Sequence, residues 1–307
     1  MRSTELPLVY VIIVNWNGMR FLPDCLSSVF SGRYSNFKVV LIDNASSDDS
    51  IEFVKQHFEQ VACVELAENK GFTGANNIGI NYALKHGASY SVLLNNDTRV
   101  FPDWLDCFVQ FAEDNPNVGA CGGQQLTWDG KLAMSLNFIP EWADAEMSFS
   151  EIDDRLGGYP VVFASGCCLF LRNSFLRETD LFDERYFVGN EDLDLCFRLW
   201  IRGHSVMLLP EVKVLHWGGG SSNSKSRMFW GYRNQLFTLL KNYEIETLRL
   251  YYRKILRRWV FTRNRIALAA TLRNIIEIKH TLIMRQHNQR FRKLSDQEVF
   301  EQCQIKL

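Results

Sequence analysis

From Val9 onward the chain alternates short apolar runs with amphipathic segments, and this alternation leaves few folds open to it. VYVIIV is followed by a helix predicted over Phe21 to Phe30, then by the run VVLID and a helix over Ser50 to Phe58. The short run VACVEL completes a βαβαβ beginning. A glycine-rich turn then leads into a helix over Asn76 to His86, the strand SVLLNND and a helix over Pro102 to Glu113. Apolar strands separated by helices imply a mostly parallel sheet with helices on both faces, because such strands are buried on both sides.

The pattern weakens from Gly122 to Pro160, which reads as a long excursion. It resumes with the strand VVFASGCCLFLR, a helix over Asn190 to Arg202 and the strand EVKVLHW, which runs into Gly218 and a Gly/Ser loop ending at Ser222. Helical spacing returns over Ser226 to Tyr243 and over Leu248 to Arg273, with no strand signal. The expected organisation is one α/β catalytic domain over residues 1–222 and a basic helical appendage over 223–307.

With 307 residues and 47% hydrophobic content the chain can bury a large core. Its net charge of -1 hides a basic excess beyond Lys225. The 8 cysteines are scattered among apolar neighbours without a CxxC pair, so they read as reduced core residues, and a cytoplasmic location is expected. Leu8 to Val14 is too short for a signal segment and lacks a cleavage site. No run approaches the roughly 20 apolar residues of a membrane span, so membrane contact is expected to be peripheral.

Several polar residues stand at strand ends, where open α/β sheets place ligands. Asp43 ends VVLID and can accept from a pyrimidine N3–H; it and Ser46 can equally cap the next helix. Lys70, Gly71 and the following amides precede a helix, an arrangement suited to phosphate or ribose, though it matches neither GxGxxG nor GxxxxGK[ST]. Asp97 closes SVLLNND, where a carboxylate can hold a divalent ion or merely form a turn. His216 ends VKVLH. In Asn190-Glu191-Asp192-Leu193-Asp194 the acids crowd a helix start, either as a general base or as complements to the helix dipole.

In this order, IIVNWNG, LIDNASSDDS, NKGFTGANNIGI, LLNNDT, SGCCLFLR, LFDERYFVGNEDLDLCFR and VLHWGGGSS resemble the inverting A-type-fold glycosyltransferases of family 2, especially rhamnosyltransferase-like members. The resemblance spans about Val9 to Ser222. It implies the GT-A fold and a nucleotide-sugar donor, with dTDP-rhamnose and UDP-hexoses leading. By that likeness Asp43 takes the base, with Asn15 and Ser46 beside it, and Lys70, Gly71 and Asn76 take the ribose-phosphate region. Asn95, Asn96 and Asp97 stand where the family carries an Asp-x-Asp motif. Asn95 replaces the first acid, so Asp97 and His216 would hold Mn2+ or Mg2+ with help from diphosphate oxygens. Asp192 would be the general base, with Glu191 supporting it. The implied acceptor is a polysaccharide or a lipid-linked saccharide.

Arg253, Lys254, Arg257, Arg258, Arg263 and Arg265 accompany Tyr251, Tyr252, Trp259 and Phe261, the composition of a helix that docks on an anionic membrane, with a solvated face or an oligomer contact as the plainer alternative. The rival enzymatic reading is a sugar nucleotidyltransferase. The rival of another class is a nucleic-acid-binding protein using the basic tail, although nucleic acid is not the expected partner.

Overall fold

The computed structural model describes residues 5–132, 157–218, 224–261 and 264–305. Its strands are β1 (Val9–Asn15), β2 (Phe37–Asp43), β3 (Ala62–Glu65), β4 (Tyr90–Asn95), β5 (Thr98–Val100), β6 (Val118–Leu126), β7 (Tyr159–Pro160), β8 (Cys168–Arg172) and β9 (Ser205–His216). They form one 9-stranded sheet in the order β3-β2-β1-β4-β8-β6-β9-β5, with β7 beside β9. The β1–β2, β1–β4, β2–β3 and β6–β9 pairs are parallel, while β8, β5 and β7 run antiparallel to their neighbours.

Strand β1 explains why the runs are apolar without alternation. Val9, Val11 and Ile13 face one core and Tyr10 and Ile12 the other, all buried. Helices α1 (Leu22–Phe30), α2 (Ser50–His57) and α4 (Trp104–Asp114) cover the first face through stripes such as Leu22, Cys25, Leu26 and Val29. Helices α3 (Gly71–Lys85), α5 (Asn173–Thr179) and α6 (Glu191–Ile201) contribute to the second core. The mixed, mostly parallel sheet with flanking helices is the GT-A architecture expected.

Some elements differ from expectation. Helix α3 begins at Gly71, so the glycines read as a turn lie inside it; a Cβ at Gly79 would stand 2.3 Å from Ile12, and glycine there lets the helix sit close on β1. Only Cys168–Arg172 of VVFASGCCLFLR is a strand, while β9 begins six residues before EVKVLHW. The three-residue β5 had no apolar run to reveal it. Most of the Gly122–Pro160 excursion, and the expected boundary at Ser222, lie outside the described residues.

The helices beyond residue 223 are α7 (Ser224–Asn242), α8 (Ile245–Phe261), α9 (Arg265–Ile276), α10 (Ile278–Arg290) and α11 (Asp296–Gln302). The helical spacing read over Leu248 to Arg273 is divided between α8 and α9, and Asn264 caps α9 by accepting from Ile266 N and Ala267 N. Leu236, Leu239, Tyr243, Val299 and Phe300 share a core with the sheet and α6. This region therefore packs into the α/β layers, which is why α6 is buried on nearly all sides instead of along one stripe.

Candidate active site

Asn15, Asp43, Asn95 and His216 are the last residues of β1, β2, β4 and β9. Strand β8 is antiparallel to both β4 and β6, so β6 and its parallel partner β9 point the same way as β1, β2 and β4. All four residues consequently reach one edge of the sheet, where parallel α/β sheets bind ligands.

Asn15 is fully buried and joins three segments. Its amide nitrogen lies 3.1 Å from Asp43 Oδ1, 3.2 Å from Ser46 Oγ and 2.8 Å from Ser50 Oγ, and its oxygen accepts from Asn96 Nδ2 at 2.9 Å. Asp43 Oδ2 accepts from Ser46 N at 3.0 Å, bending the chain after β2. Neither Asp43 nor Ser46 caps α2, whose N-cap position is Asp49, without a side-chain cap. Asn44, missed in the sequence, is buried and ties the next loop in place: its oxygen accepts from Lys70 N at 2.7 Å and its nitrogen donates to Gly71 O at 3.1 Å.

The structure does not bring Lys70, Gly71 and Asn76 together as a phosphate cradle. The Lys70 ammonium is exposed and pairs with Glu68, and Asn76 donates within its own helix to Phe72 O at 2.9 Å. Gly71 has φ +70°, and a Cβ there would meet Phe187 Cδ2 at 2.5 Å, so its glycine is explained by backbone shape and packing.

Strand β5 pairs antiparallel with β9, Thr98 opposite His216. That register sets Asp97 Oδ1 3.2 Å from His216 Nε2, both side chains partly exposed, with Asn95 Nδ2 3.4 Å from the same imidazole nitrogen. A carboxylate oxygen and an imidazole nitrogen can both ligate a divalent ion, the imidazole favouring Mn2+ over the harder Mg2+. Among the described residues no third His, Cys, Asp or Glu joins them, so an ion here would draw most of its ligands from a bound molecule.

The acids at the start of α6 have separate surroundings. Asp194 is fully buried and accepts from Tyr186, Arg198, Lys241 and Asn242, which hold its carboxyl below the usual range against the cost of burial. Asp192 is partly exposed; its oxygens accept from Gly166 N at 3.0 Å and Leu193 N at 2.8 Å, and desolvation raises its pKa overall. Glu191 is buried with Oε2 unpartnered, and desolvation, then the neighbouring Asp192, push its pKa up to about 8. The segment carrying Gly166 also reaches the sheet edge, since Cys167 O accepts from Asn95 N at 2.9 Å.

Helix α7 supplies a part that the sequence did not reveal. Phe187, Gly189 and Asn190 all have positive φ immediately before α6. The buried Asn234 side chain donates to the carbonyls of Tyr186, Val188 and Gly189 at 3.1, 3.0 and 2.6 Å, fixing that turn from the outside.

A model of glycosyl transferase family 2 matches residues 10–179, more than half of the chain. The protein belongs to this family, and it is a glycosyltransferase. It is 26% identical over 229 residues to the N-acetylglucosaminyl-diphospho-decaprenol L-rhamnosyltransferase of Mycobacterium tuberculosis, covering 67% of this chain and 75% of that one. It is 25% identical over 248 residues to the dTDP-rhamnosyl transferase RfbF of Shigella flexneri, covering 76% and 81%. Among solved structures it resembles GalNAc-T7 with UDP, GalNAc and Mn2+, at TM-score 0.63 and 18% identity, over 81% of this chain and half of that enzyme, a likeness of fold.

Proposed function

We propose that the protein transfers rhamnose or a hexose from a dTDP- or UDP-linked donor to a saccharide or lipid-linked saccharide, with inversion at the anomeric carbon. The supporting observation is the Gly166–Cys167 link, which holds Asp192 and the end of β4 by adjacent residues. A base and a diphosphate-binding edge fixed to one short segment suit a single direct displacement.

In this reading Asp43, Asn15 and Ser46 receive the nucleoside, and Lys70, Gly71 and Asn76 border the ribose-phosphate region. Asp97 and His216, with Asn95 and Asn96 beside them, would hold a divalent metal, which supplies Lewis-acid neutralisation of the leaving diphosphate. Asp192 takes the proton of the acceptor hydroxyl as its oxygen bonds to the anomeric carbon. The bond to the diphosphate breaks and its electron pair leaves with the phosphate oxygen. Burial around Asp192 makes it a stronger base than an exposed aspartate. Glu191 borders it as a support. We place the enzyme in the cytoplasm, peripherally on the inner membrane face, with exposed Arg253, Lys254 and Arg257 of α8 in support. Tyr252, Arg258, Trp259 and Phe261 have side chains outside the described set, and Arg263 lies outside it altogether.

Calorimetry with dTDP, UDP and GDP, with and without Mn2+, tests the donor site. Metal-dependent binding of one nucleotide that Asp97→Ala abolishes is expected; equal binding by the variant would remove Asp97 from the site, and no binding of any nucleotide would overturn the reading.

A further inference from the structure

Helix α9 is amphipathic in the opposite sense from a core helix. The face it buries against α7 carries Ala267, Ala270 and Asn274, while Leu268, Leu272, Ile275 and Ile276 are 62, 52, 57 and 75% exposed. At about 100° per residue these four fall within a stripe of roughly 100°, on the side away from the buried one. Leu282 and Ile283 of α10 are likewise exposed. Core packing does not explain so many large side chains turned outward on neighbouring helices.

Charge identifies what covers them. Between Arg249 and Lys293 the sequence holds thirteen Lys or Arg and one acid, Glu277, which is itself paired with Arg233 and Arg273. Arg249, Arg253 and Arg257 of α8, Arg265 of α9 and Lys279 of α10 are exposed, and Arg265 falls within the angular range of the apolar stripe. A second copy of this chain would bring the same positive charge against itself. An anionic lipid surface offers both the apolar layer and the countercharge.

We propose that α9 lies in the plane of an anionic membrane with Leu268, Leu272, Ile275 and Ile276 inserted below the headgroups. This sharpens the peripheral placement suggested above by assigning the insertion to α9, with α8 contributing charge. At 12 residues α9 spans about 18 Å, too short to cross a bilayer, and no described helix is long and apolar enough to do so. On its inner face Asn274 donates to Arg233 O at 2.9 Å, next to the Asn234 that fixes the turn before α6. A lipid-carried acceptor, on the transferase reading, would meet the enzyme close to the base.

Flotation of the full chain with phosphatidylglycerol/phosphatidylcholine vesicles, against pure phosphatidylcholine, tests this at physiological salt. Native protein is expected to float with the anionic vesicles only. Leu272→Ser/Ile276→Ser and, independently, Leu268→Ser/Ile275→Ser are each expected to lower binding by about tenfold or more without lowering Tm. Undiminished binding by both α9 variants overturns the proposal, even if Arg253→Glu/Arg257→Glu abolishes binding and thereby leaves the docking to α8 alone. So does light scattering that finds a native dimer, broken by the α9 substitutions, in a chain that ignores vesicles. Nucleotide binding is followed in the same samples: vesicle binding without it would sink the proposed donor site and leave this inference standing.

Discussion

Asp194 of α6 and Lys241 of α7 meet at 2.9 Å with both side chains almost wholly removed from solvent. Lys241 also reaches Asp183 at 3.0 Å, so one ammonium serves two carboxylates ahead of and within the helix that carries Asp192. A buried pair adds little over an apolar pair of equal shape, yet losing one partner is costly.

Lys241→Met is expected to destabilise the fold by about 3 kcal/mol or more, because Asp183 and Asp194 would lose a buried countercharge. The double variant with Asp194→Asn should recover part of that loss. Urea denaturation of the single and double variants checks it; additive losses would show that the two residues are not coupled.

Asp183 and Asp194 have carboxyls held below the usual range by Arg185 and Lys241, and by Lys241 and Arg198 respectively. Their folded pKa values lie below the unfolded value of about 3.9, so their stabilisation is complete above that pH and declines as pH falls below it. Glu191 has the opposite sign. With a folded pKa of about 8, it favours the folded state least once pH has risen from its unfolded value past 8. Glu191→Gln should therefore stabilise the protein by at least about 1 kcal/mol at pH 8 and hardly at pH 5. A difference that stays flat between these pH values would show that Glu191 is ionised in the folded protein.

Gly71→Ala places a methyl against Phe187 at a left-handed φ and should cost about 2 kcal/mol or more. Phe187→Ala removes the ring but not the backbone constraint, so the double variant should recover only part of the loss. Full recovery in thermal melts would mean that φ carries none of the cost.

Asn234→Ala leaves three carbonyls short of a donor in the turn before α6. We expect a loss of about 1–3 kcal/mol in stability and a fall in kcat with nucleotide affinity retained. Equal falls in nucleotide affinity and kcat would place its effect on the donor side.

Much of the fold was legible because β1, α1, β2 and α2 each carry their own periodicity. The gathering of Asn15, Asp43, Asn95 and His216 at one edge followed from parallel strands ending in polar residues. What was hidden depended on distant partners. The packing demand on Gly71 was invisible because Phe187, whose ring leaves no room for a Cβ there, lies far along the chain. Asp194 looked like an acid complementing a helix dipole because Lys241 belongs to another helix. Asn264 did carry a legible signal, an N-cap residue type inside the span of helical spacing from Leu248 to Arg273.

The β5–β9 pairing also has a consequence for how the protein is made. Asn95 and His216 are 121 residues apart, and the strand that delivers His216 is the last of the sheet to leave the ribosome. A nascent chain that has already formed β1, β2 and β4 holds Asn15, Asp43 and Asn95 but lacks the imidazole facing Asp97. The two halves of the edge are thus completed at different moments of synthesis, and a chain interrupted before residue 216 would retain Asp43 and Asp97 without the partner that β9 brings.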